Sequence, residues 1–305
     1  MAGGIIQAAM NEIGDAISRH GQPGRHPTAI PGLILYQARE LNRPVNTIYR
    51  PTLCVIAQGR KRVVLGERVV EYDASKYLIV TVDLPVSGCV VEASPGSPYL
   101  GLSLDLNPAG IADLLLSAPP APAHMGRSSA ALAVSALDSD LIDALARMMR
   151  LLDRLNDIAT LAPLIEREIY YRLLQGGQGG LLRQIATAGS HLSRVARAID
   201  WIRENYAEPA SIEELAQHAG MSVTSFHRHF KAITMMSPLQ YRTQFRLQEA
   251  RRRLLTREQK AGLVAFGVGY DNPSQFSREY RRMFGLPPAA DAARLRGSQN
   301  GLTAV

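Results

Sequence analysis

Two stretches in the last third of the chain share one punctuation, and that repetition constrains the fold more than any other feature. In SIEELAQHAGMSVTSFHRHFKAIT, Ser211 and Glu214 have capping-box spacing, and Ile212, Leu215, Ala216 and Ala219 form the apolar stripe behind them. Gly220 can take the left-handed conformation that ends a short helix, and Ser222 caps the next. In GLVAFGVGYDNPSQFSREYRRMFG, Gly269 closes a short helix, Asn272 caps the next, Pro273 takes its first position and Gln275 is the partner of the cap. Each stretch therefore reads as two short helices across a tight turn, a helix-turn-helix unit, at about 211–232 and 260–283.

The second helix of each unit separates its faces. Phe226, Phe230 and Ile233 recur at i, i+4, i+7 and belong in a core, leaving Thr224, Ser225, His227, Arg228 and Lys231 off that stripe. Phe276, Tyr280, Met283 and Phe284 do the same in the second unit, leaving Ser274, Gln275, Ser277, Arg278, Arg281 and Arg282 outward. Such a row suits a major groove: arginine can bond guanine O6 and N7, threonine can touch a thymine methyl, and lysine can neutralise a phosphate. A solvated polar face is the alternative for one row, and two such units within a hundred residues argue against it.

Between the units, SPLQYRTQFRLQEARRRLL starts with a Ser237 cap and Pro238 and predicts a helix of ~18 residues, ~27 Å long. Successive major-groove faces lie ~34 Å apart, so this connector can set both reading helices on one side of a duplex. Arg242, Arg246 and Arg251 to Arg253 on it are either phosphate contacts or surface charges. The net charge of +7 is concentrated in this third of the chain. Charge alone is compatible with nucleic acid, an anionic membrane or an acidic protein.

Upstream the period changes. TLCVIAQ, KRVVLGERVVEY, YLIVTVD, SGCVVEA and YLGLSLDL, within Pro51–Leu106, read as short antiparallel strands, with a hairpin turn at Gly66 and Glu67. A loop follows at Ser117–Ser129. Helical periodicity then runs through Leu141, Ile142, Leu145, Met148, Met149 and Leu152, and through Leu164, Ile165, Ile169 and Leu173. This helical pair is either a dimer seam or packs on its own barrel, and GGQGG at 176–180 ends it and can serve as a hinge.

The segment from about Arg197 to Arg296 resembles the DNA-binding domain of AraC/XylS-type transcription regulators, through IEELAQHAGMSVTSFHRHFK, SPLQYRTQFRLQEARRRLL and VGYDNPSQFSREYRRMFG. By position the resemblance implies base contacts at Thr224, His227 and Arg228 and at Pro273, Ser274 and Arg278. The Pro273 ring offers only van der Waals contact, which passes readout to Ser274 and Gln275. AITMMSP departs from the pattern in lacking a glycine before Ser-Pro, and Gly262 and Gly267 each weaken their short helix by up to ~1 kcal/mol. TLCVIAQGRKRVVLGERVVEYDASKYLIVTVDLPV and LIEREIYYRLLQG are similar to the N-terminal domain of one subgroup. That implies a cupin-like barrel that senses a small molecule and supports a homodimer, in an activator that works with RNA polymerase.

The expected class is therefore α+β: an N-terminal antiparallel β-barrel (1–116), a linker and helical connector (117–194), an all-α double helix-turn-helix domain (195–297) and a flexible tail (298–305). Double-stranded DNA at promoters is the expected partner. Two rivals remain: a cupin-type barrel enzyme with a basic helical domain, and an architectural DNA-binding protein without a sensor. Pro51–Leu106 contains no histidine, and no GxSxG, Walker or strand-borne GxGxxG motif occurs, which argues against catalysis; no cofactor or metal is expected. No membrane-length apolar run or secretory signal is seen, which points to the cytoplasm. Cys54 is either a packed core thiol or a sensor, with the same ambiguity at Cys89. Tyr72 and Tyr77 either line an effector cavity or fill the core.

Overall fold

The computed structural model describes residues 2–117, 130–256 and 260–298. Helix α1 (Ala2–His20) leads into strands β1 (Gly24–Pro27), β2 (Leu33–Ala38), β3 (Val45–Tyr49), β4 (Thr52–Gln58), β5 (Arg60–Leu65), β6 (Arg68–Asp73), β7 (Lys76–Val80), β8 (Leu84–Glu92) and β9 (Tyr99–Asp105). Helix α2 (Pro108–Ser117) and strand β10 (Leu132–Ala136) follow. All pairings are antiparallel, in a six-stranded sheet of order β1-β2-β9-β4-β7-β10 and a four-stranded sheet of order β3-β8-β5-β6. The class is α+β as expected, but the sheets do not close into one hydrogen-bonded barrel. β1 and β10 end one sheet and β3 and β6 the other, so the sheets are joined by connecting turns and by packing rather than by a continuous ladder.

The expected strands between Thr52 and Asp105 form, and Gly66 turns the β5–β6 hairpin at φ 59°. Strand β10 lies beyond the expected barrel boundary at residue 116 and hydrogen-bonds along β7, so the sheet draws on the connector segment. The loop expected at Ser117–Ser129 lies outside the described residues apart from Ser117, which ends α2, and the tail beyond Ser298 lies outside them too.

Strand alternation assigns two faces to the larger sheet. Leu35, Leu53, Val55, Tyr77, Ile79 and Leu102 pack outward on helices, in one core with Ile13 and Ile17 of α1. Cys54, Ile56, Leu78, Val80 and Tyr99 point the other way, in a core with Val63, Leu65, Tyr72, Val86 and Val90 of the smaller sheet. Helix α3 (Ser139–Arg150), capped by Asp138, buries Leu141, Ile142, Leu145, Met148 and Met149 as its spacing predicts. Helix α4 (Ile158–Gln175) buries Ile165, Ile169 and Leu173, but Leu164 is exposed, together with Leu155 and Leu161. The expected glycine hinge is packed: a Cβ on Gly176 would lie 3.2 Å from the Tyr77 hydroxyl and one on Gly177 3.2 Å from Ser135 Oγ, and Gly179 already begins α5 (Gly179–Ala186).

Seven helices follow among the described residues: α6 (His191–Glu204), α7 (Ile212–Ala219), α8 (Val223–Thr234), α9 (Pro238–Thr256), α10 (Ala261–Gly267), α11 (Pro273–Phe284) and α12 (Pro288–Ser298). The first helix-turn-helix unit sits directly against the sheets. The amide of Ala131 donates to the carbonyl of Ile233 (3.0 Å), the Tyr241 hydroxyl donates to the carbonyl of Asp83 (2.7 Å), and Gly66 meets the backbone of Met235. Met235 caps α8 at φ 60°, the one non-glycine in the left-handed region among the described residues. It occupies the position where the sequence lacks the usual glycine, at a cost of about 1 kcal/mol.

Candidate nucleic-acid interface

The capping chemistry that defines the two units is present in the structure. Ser211 Oγ accepts from the Glu214 amide (3.1 Å) while Glu214 accepts from the Ser211 amide (2.8 Å), and Gly220 ends α7 at φ 62°. Ser222 caps α8 by accepting from the Ser225 amide. In the second unit Asn272 Oδ1 accepts from the amides of Ser274 and Gln275. Gln275 does not return the bond: its side chain donates to Glu279 (3.1 Å), which also accepts from the Tyr270 hydroxyl (2.6 Å).

Phe226, Phe230 and Ile233 are buried, and Thr224, His227, Arg228 and Lys231 are exposed along the opposite side of α8, with Ser225 half-buried at the capped end. His227, Arg228 and Lys231 line an open depression of about 480 Å³ with Ala232 and Ser237. Beside it the His229 ring stacks on His191 at 3.7 Å, and burial, with His191 and Arg228 adding to it, lowers the His229 pKa. On α11, Phe276 and Tyr280 are buried, Ser274, Gln275, Arg278, Arg281 and Arg282 are exposed, and Pro273 is half-buried at the first position. Both rows thus combine cations with hydroxyl or amide groups on a helix whose far side is core.

Helix α9, between the two units, has 19 residues, about 28 Å. Its arginines have partners within the chain. Arg242 donates to the carbonyl of Ala210 (3.0 Å), and Arg246 donates to those of Tyr206 (2.5 Å) and Gly269 (2.9 Å). Arg251 pairs with the fully buried Asp291 (2.8 Å), while Arg252 and Arg253 pair with Glu249 (2.7 and 3.0 Å). These groups tie α9 to the turns at 206–210 and 269 and to α12. Charge counting could not assign them, because the carbonyls that engage Arg242 and Arg246 lie in distant turns.

The expected effector residues divide between the two faces of the larger sheet. Cys54 and Tyr72 belong to the core between the sheets, while Tyr77 faces the helices, close to Ser135 and Gly176. Burial pushes the Cys54 thiol up to about 11, although Lys61 and hydrogen bonds from Thr52 and Tyr72 oppose it. Burial likewise raises Tyr72 well above the usual tyrosine value. Cys89 is buried on the other face of β8, and both cysteines are free.

The inter-sheet space holds one residue that the sequence reading passed over. Lys61 is only 4% exposed, with Nζ 5.4 Å from the ring centre of Tyr36 and 5.6 Å from that of Tyr49. Burial disfavours its ammonium, but Tyr49, Tyr99 and Cys54 outweigh that, and the net direction is upward. Its alternation with Val63 and Leu65 on β5 was the available signal.

Residues 29–181 match the family described as AraC-type transcriptional regulator N-terminus, and residues 215–294 match a helix-turn-helix domain family. The chain is 30% identical over 105 residues to the HTH-type transcriptional activator RhaS of Pectobacterium carotovorum subsp. carotovorum (strain PC1), covering 34% of this chain and 38% of that protein. It is 26% identical over 150 residues to the HTH-type transcriptional regulator ArgR of Pseudomonas aeruginosa, covering 49% of this chain and 46% of that protein. The chain thus spans less than half the length of these relatives. The fold is similar to the crystal structure of unsaturated fatty acid bound ToxT from Vibrio cholerae, with a TM-score of 0.59, 10% identity, and coverage of 90% of this chain and 96% of that one.

Proposed function

This chain belongs to the AraC-type transcription regulators, DNA-binding proteins rather than enzymes, and from that premise we propose that it is a small-molecule-responsive activator that reads two successive major grooves with α8 and α11. The observation that carries this reading is the pair of capped helices with exposed basic rows, held by a connecting helix of 19 residues. Thr224, Ser225, His227, Arg228 and Lys231 form the first reading row. Pro273, Ser274, Gln275, Arg278, Arg281 and Arg282 form the second, with Gln275 partly engaged by Glu279.

The sensing unit comprises the two sheets, including β10, together with α1 to α4. ToxT is a protein of this fold whose structure carries a fatty acid, which supports a ligand for this one. Binding there acts on DNA reading through contacts at Gly66, Ala131 and Asp83, where the sheets meet α8 and α9. Activation is supported by the name of the RhaS relative, and RNA polymerase is the partner such an activator would work with at a promoter. The exposed Leu155, Leu161 and Leu164 support a homodimer seam on α4 and the turn before it. No helix among the described residues is long and apolar enough to cross a membrane. We place the protein in the cytoplasm with the DNA it reads.

Genome-wide mapping of bound sites tests this reading. Enrichment of a two-part motif at promoters, lost in an Arg228→Ala, Arg278→Ala double variant, is the expected result. Uniform coverage without a motif would instead establish the architectural alternative.

A further inference from the structure

Arg228, exposed on the reading row of α8, is not a free side chain. Its Nη2 lies 3.3 Å from Nε2 of the neighbouring His229. A guanidinium has donors and no acceptor, so the bond requires a neutral His229 whose Nε2 carries the lone pair and whose Nδ1 carries the proton. Adjacent residues on a helix point about 100° apart and do not ordinarily face each other, so the ring needs a support of its own.

That support comes from α6. The half-buried His229 ring stacks on His191 with centroids 3.7 Å apart and planes 16° from parallel. His191 is the first residue of α6, and Ser190 caps that helix by accepting from the Ser193 amide (2.9 Å). Arg194 and Arg197 of α6 donate to the carbonyls of Gly220 and Ala219 (both 3.1 Å), which fixes α6 against the turn of the first unit. His191, His229 and Arg228 thus form a chain from a capped helix to the reading face. An unrestrained arginine loses rotamer freedom when it docks on a base edge, and a bond formed beforehand removes part of that loss. Nη2 carries two hydrogens, so bonding His229 with one leaves the other, together with Nη1, for the O6 and N7 of a guanine.

We propose that His229 is a positioning residue for base reading: held by its stack on His191, it orients the Arg228 guanidinium toward guanine, and its protonation releases that hold. The inference rests on the DNA-reading proposal above. Burial, then His191 and Arg228, lower the His229 pKa below the ordinary histidine value, so the accepting form prevails at neutral pH. Those two residues are the titratable or charged groups that act on the ring; α7 and α9, also packed on α8, bring none among the described residues. A protonated ring turns Nε2 into a donor facing Arg228 and sets like charges side by side. Acidification thus lowers discrimination at one base position, while the added positive charge favours phosphate-driven binding to every sequence.

Selection from a pool of randomised duplexes by the full chain at pH ~7.5 and pH ~5, followed by sequencing, tests this. Arg228→Ala marks the base position in question by erasing its preference. His229→Leu should lower the preference at that position about threefold or more at pH ~7.5, with the preferences read by α11 unchanged. The parent should show a similar fall at pH ~5. His229→Gln, whose amide oxygen accepts from Arg228 and takes up no proton in this range, should keep the preference at both pH values. His229→Leu selecting as the parent does or more sharply, equal weakening at every position in both units, or a parent preference indifferent to pH would each overturn the proposal. A parent that selects no motif at all would overturn the DNA-reading proposal, and this one with it.

Discussion

Arg246 donates to the carbonyl of Gly269 at 2.9 Å and to the carbonyl of Tyr206 at 2.5 Å, so one side chain on α9 ties the turn of the second helix-turn-helix unit to the chain leaving α6. Gly269 sits at φ 84°, with no room for a Cβ against the backbone of Ala207. The spacing of α8 from α11 is therefore built from carbonyl groups and one guanidinium as well as from apolar packing. Hydrogen bonds to a charged group contribute about 1.5–3 kcal/mol each, and carbonyls left without a donor add a penalty. Arg246→Ala should lower unfolding stability by about 2–4 kcal/mol in urea. It should weaken all DNA sequences together; selective loss at one base pair would make Arg246 a reader instead.

Base reading should be unequal between the units. Arg228 is exposed beside His227, whereas the first turn of α11 presents the Pro273 ring and a Gln275 whose amide is engaged by Glu279. Arg228→Ala should cost about 1–3 kcal/mol at one base position. His227→Ala should relax operator discrimination more than Arg278→Ala, measured by binding to a set of singly substituted operators. Equal loss across every operator would assign Arg228 to a phosphate.

Asp291 is fully buried and accepts from Arg251 (2.8 Å), Arg294 (2.9 Å) and the Tyr280 hydroxyl (3.0 Å). Burial alone would raise its pKa, but the hydrogen bonds from Arg251 and Arg294 and the charge of Arg251 prevail and lower it. A carboxylate depressed in the folded state contributes stability above its unfolded value of about 3.9, and that contribution is lost as the pH falls through the folded value. Acid unfolding of the second unit should therefore set in below pH ~4. Asp291→Ala should cost about 3–5 kcal/mol at neutral pH by stranding Arg251. A urea midpoint unchanged by Asp291→Ala at pH 7 would rule this out.

Both helix-turn-helix units were legible because their signals are local. Ser211, Glu214, Gly220, Ser222 and Asn272 act within a few residues of themselves, and the stripes of Phe226 and Phe276 follow the helical period. Strands β1 to β3 were not legible, since β3 is half-buried throughout and shows no alternation, and β10 is a five-residue strand that joins β7 from beyond a long loop. The roles of the α9 arginines depend on carbonyls that only the tertiary fold brings near. Tyr77 and Cys54 occupy adjacent strands, yet strand parity sends them to opposite faces, and no local pattern reveals which face meets the second sheet.

Cys54 makes the sharpest chemical prediction, because its surroundings oppose the reactivity that a sensor thiol needs. It is buried between the sheets beside Thr52 and Tyr72, and burial pushes its pKa up to about 11. At pH 7.5 the reactive thiolate is then well under one in a thousand of the population, on the order of a few in ten thousand. Native protein should be alkylated at Cys54 by iodoacetamide far more slowly than urea-unfolded protein, read by mass spectrometry of the peptide carrying it. For protein that stays folded, the rate should rise about tenfold per pH unit toward pH 11, because only the thiolate attacks. Cys54→Ser should retain the effector response in a promoter-reporter assay. Rapid native labelling at pH 7.5, together with loss of the response in Cys54→Ser, would instead make Cys54 the sensor.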